Sequence, residues 1–423
     1  MVQREGMTAA PSPARARAWS GAAGAPMASA KTFFAGTHRL VAPEETWERI
    51  APLLPRFGVT RVADLTGLDR IGLPVAAAIR PLSRSIVVSA GKGVSLAAAK
   101  VSAAMEAIEC AHAETIERPL VFASRREIAA SATAPELDDL PLALGARLDE
   151  DTRLLWIEGQ STGSERLMLP YELVHAHYCA PDLPAAGTFL ATTNGLSSGN
   201  CRAEAVCHGL FEVIERDALS LWSGLPRAAR DACLVDPAEG VAGPLVTDTV
   251  ARIRHAGFRL AVWDITSDIG VPAFHCLIVD ARDPGGHPGT GTGCHPDRDV
   301  ALFRALSEAA QVRAVYISGG RDDISRREYQ PGHLDAFRRH FDGPPPARPR
   351  RLADILTRVA ESFEDDIDWT SRRLEAAGCG PTIVVDLSRP GTGIHVVRVV
   401  VPGLEGPPED NAAPGRRKRA RRP

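Results

Sequence analysis

Three stretches of the chain set carboxylates at helical spacing beside apolar residues. In the first, Ser102, Glu106 and Glu109 follow i, i+4, i+7 and share one face, bordered by Val101, Met105 and Ile108. In the second, Glu204, His208, Glu212 and Glu215 share a face, with Val206, Leu210, Val213 and Leu219 alongside and Arg216 and Asp217 completing the run ExxERD. The third places Arg304, Glu308 and Gln311 on one face, with Arg313 close by in sequence. Carboxylates beside a buried face repel one another and resist losing water. A divalent cation resolves that conflict, because magnesium takes hard oxygen ligands and shares them between carboxylates and substrate phosphates. Arginine and lysine then meet the phosphates, and a γ-phosphoryl group so held is ready for an attacking oxygen. For one ExxE alone, a solvated face with i,i+4 ion pairs is the simpler reading. Two copies on Ala-rich helices with few lysines bring the metal–nucleotide reading level with it.

The elements that must position these residues are legible as alternating strands and long helices. Helices are expected over 96–115, over 202–220 with Asn200 as N-cap, and over 300–317, with a short amphipathic helix over 46–54. Strands are expected over 59–64, 84–89, 154–157, 259–264, 273–279, 382–387 and 395–401. Gly91-Lys92-Gly93 reads as a turn, and GGHPGTGTGCHPDRD as a loop leading into the third helix. The fold class is α/β in the mixed α+β sense. Two helices carry similar acidic signatures, but no tandem repeat is present.

Composition narrows the function classes. The chain has 423 residues, 44% hydrophobic content and a net charge of -3, enough for a substantial core. That charge argues for neither nucleic acid nor membrane as a partner. No apolar run reaches the ~18 residues of a membrane span. The Ala/Gly/Pro-rich residues 1–30 are expected to be a disordered leader, and 406–423, ending in RRKRARR, a disordered basic tail. Eight scattered cysteines without a CxxC pair indicate a reduced, cytoplasmic chain. His175, His177 and Cys179 in HAHYC lack a second ligand pair at zinc-like spacing, which favours a short helix over a metal site.

Familiar nucleotide motifs are missing. Gly91-Lys92 has no upstream glycine for a Walker A loop, and GTGTGCHP stands at no dinucleotide-binding spacing. No G-x-S-x-G elbow or kinase motif set is present. Ser89 and Lys92 are placed to contact phosphate ahead of the first long helix, or Lys92 is a plain turn lysine. Asn194 in TTNG either orients a nucleotide or metal-bound water or closes an Asx-turn. Arg321 either clamps phosphate or pairs with Asp322 or Asp323.

Three segments together resemble the YcaO family: SAGKGVSLAAAKVSAAMEAIECAHAE, TTNGLSSGNCRAEAVCHGLFEVIERDALS and ALFRALSEAAQVRAVYISGGRDD. The likeness runs over roughly 31–405. The start, GTHRLVAPEETW with VADLTGLDRIGLPVAAAIRP, and the end, VVRVVVPGLEG, look like the branch encoded beside TfuA proteins. The resemblance implies a single YcaO domain over 31–405, in which mixed sheets and long helices line a non-P-loop ATP site. Its motifs fall on Ser102, Glu106 and Glu109; on Glu204, His208, Glu212, Glu215 and Arg216; and on Glu308 and Gln311. ATP and Mg2+ are the implied cofactors, with Glu106, Glu109, Glu212 and Glu215 toward the metal and Ser89, Lys92, Asn194, Arg313 and Arg321 among the phosphate contacts.

The implied reaction is activation of a peptide or protein backbone amide by phosphorylation of its oxygen. The branch implies a thioamide product, a TfuA-like partner, a sulfur donor and a homodimer. An azoline-forming cyclodehydratase of a ribosomal peptide, or an accessory factor for ribosomal protein methylthiolation, is the alternative. Two departures stand out. Cys110 occupies a position where many relatives have arginine, and the PxPxP ending common in azoline formers is missing.

Overall fold

The computed structural model describes residues 29–179, 185–238, 241–283, 286–330, 335, 337–341 and 349–421. The fold is built on three strand–turn–helix units. Strand β3 (Val88–Lys92) leads into α2 (Leu96–Glu114), β7 (Leu196–Gly199) into α4 (Arg202–Ser223), and β11 (Gly289–Cys294) into α7 (Arg298–Ser318). Each helix starts on a side chain that accepts from a first-turn amide: Ser95 from Ala98, Cys201 from Glu204, Asp297 from Asp299. Asn200 is not the cap of α4, as the sequence suggested. It bonds Thr46 and Glu204, and the Cys201 sulfur takes the cap position.

The expected loop GTGTGC is strand β11. Its alternate residues Gly289, Gly291 and Gly293 face α7, and a Cβ on any of them would lie 2.1–2.2 Å from a carbonyl oxygen of Ala309, Ala305 or Ala301. Two strand residues advance about 6.6 Å and four helix residues about 6 Å, so the glycine row and the alanine row stay nearly in register. The run of glycines that imitates a nucleotide loop is therefore a flat bed for a helix.

Three antiparallel sheets carry these units. β1 (Arg61–Asp64), β2 (Val75–Ile79) and β3 form the first, in that order. The second has the order β4-β5-β12-β13-β7, with β4 Leu120–Ser124, β5 Arg153–Ser161, β12 Ile383–Asp386 and β13 His395–Val400; β6 (Arg166–Pro170) also pairs with β5. The third has the order β11-β10-β9-β8, from β8 (Leu234–Val235), β9 (Phe258–Asp264) and β10 (Ala273–Asp280). One core lies between α2 and the second sheet, around Ile108, Trp156 and Val396. Another joins α4 to α8 (Phe363–Ala376), and a third lies between α7, α6 (Pro244–His255) and the third sheet. Helix α1 (Pro43–Ile50) covers the first part of the short amphipathic helix expected over 46–54, and a 3-10 helix over Ala51–Phe57 covers the rest; α3 (Arg125–Ala129) and α5 (Arg227–Asp231) are short. All eight cysteines are free. No helix among the described residues is long and apolar enough to cross a membrane.

The basic tail is folded, against expectation. Leu144 N–H donates to the Asn411 carbonyl, and Arg416–Ala420 forms a short helix, α9. Arg417 is buried against α4, with Nε 3.0 Å from Asp217 Oδ1 and Nη2 2.6 Å from Asp268 Oδ1. Glu405 accepts from the Gly415 and Lys418 amides. A basic run reads as solvated until a buried carboxylate such as Asp217 supplies the countercharge. Of the expected leader, 1–28 lies outside the described residues; Ser29 and Ala30 are tied to Glu364 and Ser362.

Candidate active site

Helices α2, α4 and α7 are buried on nearly every side. Over 103–114 of α2 the one position not buried is Glu106, with exposed Ser102 a turn before it; over 203–218 of α4 these positions are His208, Glu212 and Arg216, and over 300–311 of α7 they are Arg304, Glu308 and Gln311. These are the polar residues that the spacing singled out. Contacts and charge bring the three stripes to one cleft. Lys92, at the end of β3, donates to Glu308 Oε2 at 2.6 Å. Thr292 of β11 donates to Glu215 Oε1 at 2.8 Å, and Arg216 donates to Thr292 Oγ1 at 3.4 Å. Ser198 of β7 donates to Glu109 Oε1 at 2.5 Å, joining the first and second units.

The carboxylates are crowded and poorly compensated. Burial pushes Glu106 and Glu212 up to about 7, against the pull of Arg321 and Lys92 on the first and Arg216 on the second. Burial also pushes Glu109 well up, with Glu106 and Glu212 adding repulsion. Glu308 goes the other way: burial opposes its charge, but Lys92, then Arg216 and Arg304, hold it low. Arg216 is held charged against its burial by Glu215, Glu308, Glu212 and Glu106. Five carboxylates beside four cations, with two of the acids at the edge of neutrality, are a donor set that fits a divalent cation bearing a polyphosphate. On α2 and α4, Glu106, Glu109, Glu212 and Glu215 are the residues that would hold the metal.

The other expected residues divide. Arg321 sits within charge range of Glu106, while its Nε bonds Asp323 at 2.7 Å in the ion pair that the sequence offered as an alternative. Ser89 is buried in β3. Glu204, only 2% exposed, accepts from Leu40 N–H at 3.0 Å and Arg39 at 3.3 Å, so it reaches the cleft only through Arg39. Asn194 sits in a separate cavity, which Arg398 also lines. Arg313 does not join the cleft. It stands five residues from Glu308, well round the helix, where it bonds Asp69 at 2.7 Å and covers the Phe258 ring. HAHYC is no metal site, because His175 Nδ1 accepts from the His177 amide and its ring stacks on Tyr171.

Sequence reasoning passed over Arg39, Thr292 and Ser198. Thr292 and Ser198 lie in strands where period-2 polar positions carry the signal; Arg39 lies in an irregular segment with no pattern. One further cluster has ligand-like spacing, His38, His295 and Asp366. Both Asp366 oxygens are already paired, with Lys31 and with Arg358, so this is a buried ion-pair network that ties the N-terminal segment to α8.

Known proteins share this fold. Residues 90–405 match the family model described as YcaO cyclodehydratase, ATP- and Mg2+-binding. The chain is 36% identical over 391 residues to an uncharacterized protein of Methanothermobacter thermautotrophicus, covering 90% of this chain and 98% of that one. It is 37% identical over 389 residues to a Rhizobium leguminosarum bv. trifolii protein described as lying in the tfuA 3′ region, covering 87% and 88%. Among solved structures, YcaO from Methanopyrus kandleri bound with AMPPCP and Mg2+ superposes with a TM-score of 0.70 at 26% identity, over 89% of this chain and 94% of that one. A heterocyclase in complex with substrate and cofactor has the same fold, with a TM-score of 0.75 at 22% identity; the chain spans 54% of its length. With its acidic three-helix cleft and this run of matches, the chain belongs to the YcaO family, whose domain is ATP- and Mg2+-dependent.

Proposed function

We propose that this protein uses ATP and Mg2+ to activate a peptide or protein backbone amide, and that its product is a thioamide made with a TfuA-like partner and a sulfur donor. The cleft between α2, α4 and α7 carries the reading, because its surplus of buried carboxylates calls for a cation. When bound, ATP supplies the phosphoryl group that turns a poor leaving group, the amide oxygen, into phosphate. Glu106, Glu109, Glu212 and Glu215 hold the cation. Lys92, Arg216 and Arg304 meet phosphate oxygens, and Glu308 and Thr292 hold Lys92 and Arg216 in place. Their work is alignment and charge neutralisation, the main levers in phosphoryl transfer.

Hydrosulfide adds to the carbonyl carbon, the oxygen takes the γ-phosphoryl group from ATP as its bond to ADP breaks, and the C–O bond then breaks as phosphate leaves with the electron pair. The remaining S–H proton goes to solvent, leaving C=S. The relative in the tfuA 3′ region supports the thioamide branch. The cyclodehydratase description of the matched family favours a second reading, an azoline formed by a neighbouring Cys, Ser or Thr side chain. Mass spectrometry of a candidate peptide treated with this protein, ATP, Mg2+, sulfide and the TfuA-like partner separates them. A thioamide gains about 16 Da and an azoline loses about 18 Da. A peptide unchanged in mass, with no ATP consumed, would overturn both and favour the accessory-factor alternative.

A further inference from the structure

The turn ahead of β7 lines a mostly apolar cavity that the acidic cleft does not use. Arg398, in the middle of β13, is 2% exposed and lines it. Its Nη2 donates to the Thr192 carbonyl at 2.6 Å, while Nε and Nη1 have no partner among the described residues. Asn194 lines the same cavity, and its Oδ1 is equally buried and unpartnered. Leu173, Leu190 and Val213 supply apolar wall. The cavity is small, with about 30 Å³ of accessible volume, room for two or three water-sized groups.

The turn is held firmly. Val399 N–H donates to the Gly195 carbonyl at 2.8 Å. Gly195 has φ +79°, and a Cβ there would lie 2.2 Å from the Val399 oxygen, so only glycine brings the turn this close to β13. Asn194 and Arg398 are thus fixed relative to each other by backbone.

An unpaired buried donor or acceptor costs about 1–3 kcal/mol, and more when charged. Here donors and an acceptor are left unpaired in one cavity. A phosphate or carboxylate would answer Arg398 and set a second acceptor against Asn194 Oδ1. A backbone amide answers both, since its C=O accepts and its N–H donates. The cavity also borders the cleft: Val213 follows Glu212 directly, and the charge of Glu212 acts on Arg398.

We propose that this cavity seats the substrate's backbone amide, with Arg398 donating to the carbonyl oxygen and Asn194 Oδ1 accepting from the N–H. This deepens the reading of the protein as an amide-activating enzyme and rests on it. Arg398 then also faces the oxygen as it gains negative charge during nucleophilic addition, where a fixed donor is most effective. In the sequence this arginine stands inside VVRVVV, a run that otherwise reads as pure strand core.

The test uses the full chain and N-methylacetamide as a minimal amide, followed by saturation-transfer difference NMR, with sodium acetate as the competing anion. N-methylacetamide gives a signal and acetate gives none. Asn194→Ala and Arg398→Met each weaken the signal by about fivefold or more, the loss expected of about one hydrogen bond, and Arg398→Lys restores part of it. Circular dichroism checks the fold; if Arg398→Met does not fold, Asn194→Ala decides. A signal from acetate alone, or an N-methylacetamide signal unmoved in Asn194→Ala, overturns the assignment. Glu106→Gln keeps the amide signal while losing Mg2+-dependent ATP binding. If wild type fails to bind ATP yet shows an amide signal lost in Asn194→Ala, the nucleotide reading falls and the cavity stands.

Discussion

Lys92 Nζ lies 2.6 Å from Glu308 Oε2, joining the end of β3 to the middle of α7 across the acidic cleft. Their side chains are 17% and 21% exposed, so the pair sits at the cleft wall, open to a ligand. Exchange of Glu308 for phosphate is a natural role for such a lysine. Lys92→Met is expected to weaken Mg-ATP binding by roughly 10–100-fold, the equivalent of one charged hydrogen bond at about 1.5–3 kcal/mol. Isothermal titration calorimetry reads this directly. Unchanged affinity would leave Lys92 as an ordinary ion-pair partner.

Proton linkage follows from Glu106 and Glu212. Burial raises both to about 7 in the folded chain, against an unfolded value near the usual ~4.3. The folded state therefore binds these protons more tightly. Without ligand, its advantage is complete below about 4.3 and is lost as pH rises toward 7. Metal binding needs ionised carboxylates and releases the protons. Mg-ATP affinity should rise from pH 6 to 8 and level off above. Calorimetry at pH 6.5 in buffers of different ionisation enthalpy should show proton release that vanishes near pH 8.5.

Gly291 is expected to tolerate no side chain. A Cβ there meets the Ala305 oxygen at 2.2 Å and the Ala309 nitrogen at 2.5 Å, both backbone atoms. Gly291→Ala must lift α7 off β11, at about 1–3 kcal/mol for overpacking. Because Glu308 rides on α7, nucleotide affinity should fall with stability. Urea unfolding and an ATP titration on the same variant check both.

Arg417 should prove structural despite its place in a basic tail. Asp217 is fully buried, and the guanidinium lies 3.0 Å away. Removing one partner of a buried pair costs about 3–5 kcal/mol, because the other charge is left uncompensated. Arg417→Ala should lower stability by that order in denaturant unfolding, and adding Asp217→Asn should recover part of it. A loss no larger than that of a surface arginine would return the tail to solvent.

Much of this site was readable in the chain, and the reasons for success and failure are physical. Glu106, Glu212 and Glu308 were legible because helical period places them on stripes of Ala-rich helices that carry few lysines. Strands over 259–264 and 273–279 were legible from their β-branched and apolar runs. The β11 glycines were misread, because alternating Gly and Thr offer no apolar face to set against the loop-like Gly and Pro around them. Arg313 was misread because proximity in sequence hides its turn round the helix to Asp69. The tail was misread because its countercharge, Asp217, lies 200 residues upstream of Arg417. Arg398 was invisible because its meaning lies in the unpaired atoms around it.

The acidic cleft as a metal–nucleotide site, and no mere set of surface ion pairs, stands or falls on a single carboxylate. Glu106→Gln tests it most directly, with Mg-ATP affinity and Mg2+-free stability measured side by side at pH 8. Removing one of several crowded, buried charges should leave the fold as stable as wild type or more so, since the desolvated carboxylate opposes folding at that pH. The same change should cost at least about 100-fold in Mg2+-dependent ATP affinity, through loss of a charged ligand. ATP binding unchanged in Glu106→Gln, with magnesium still required, would contradict the account.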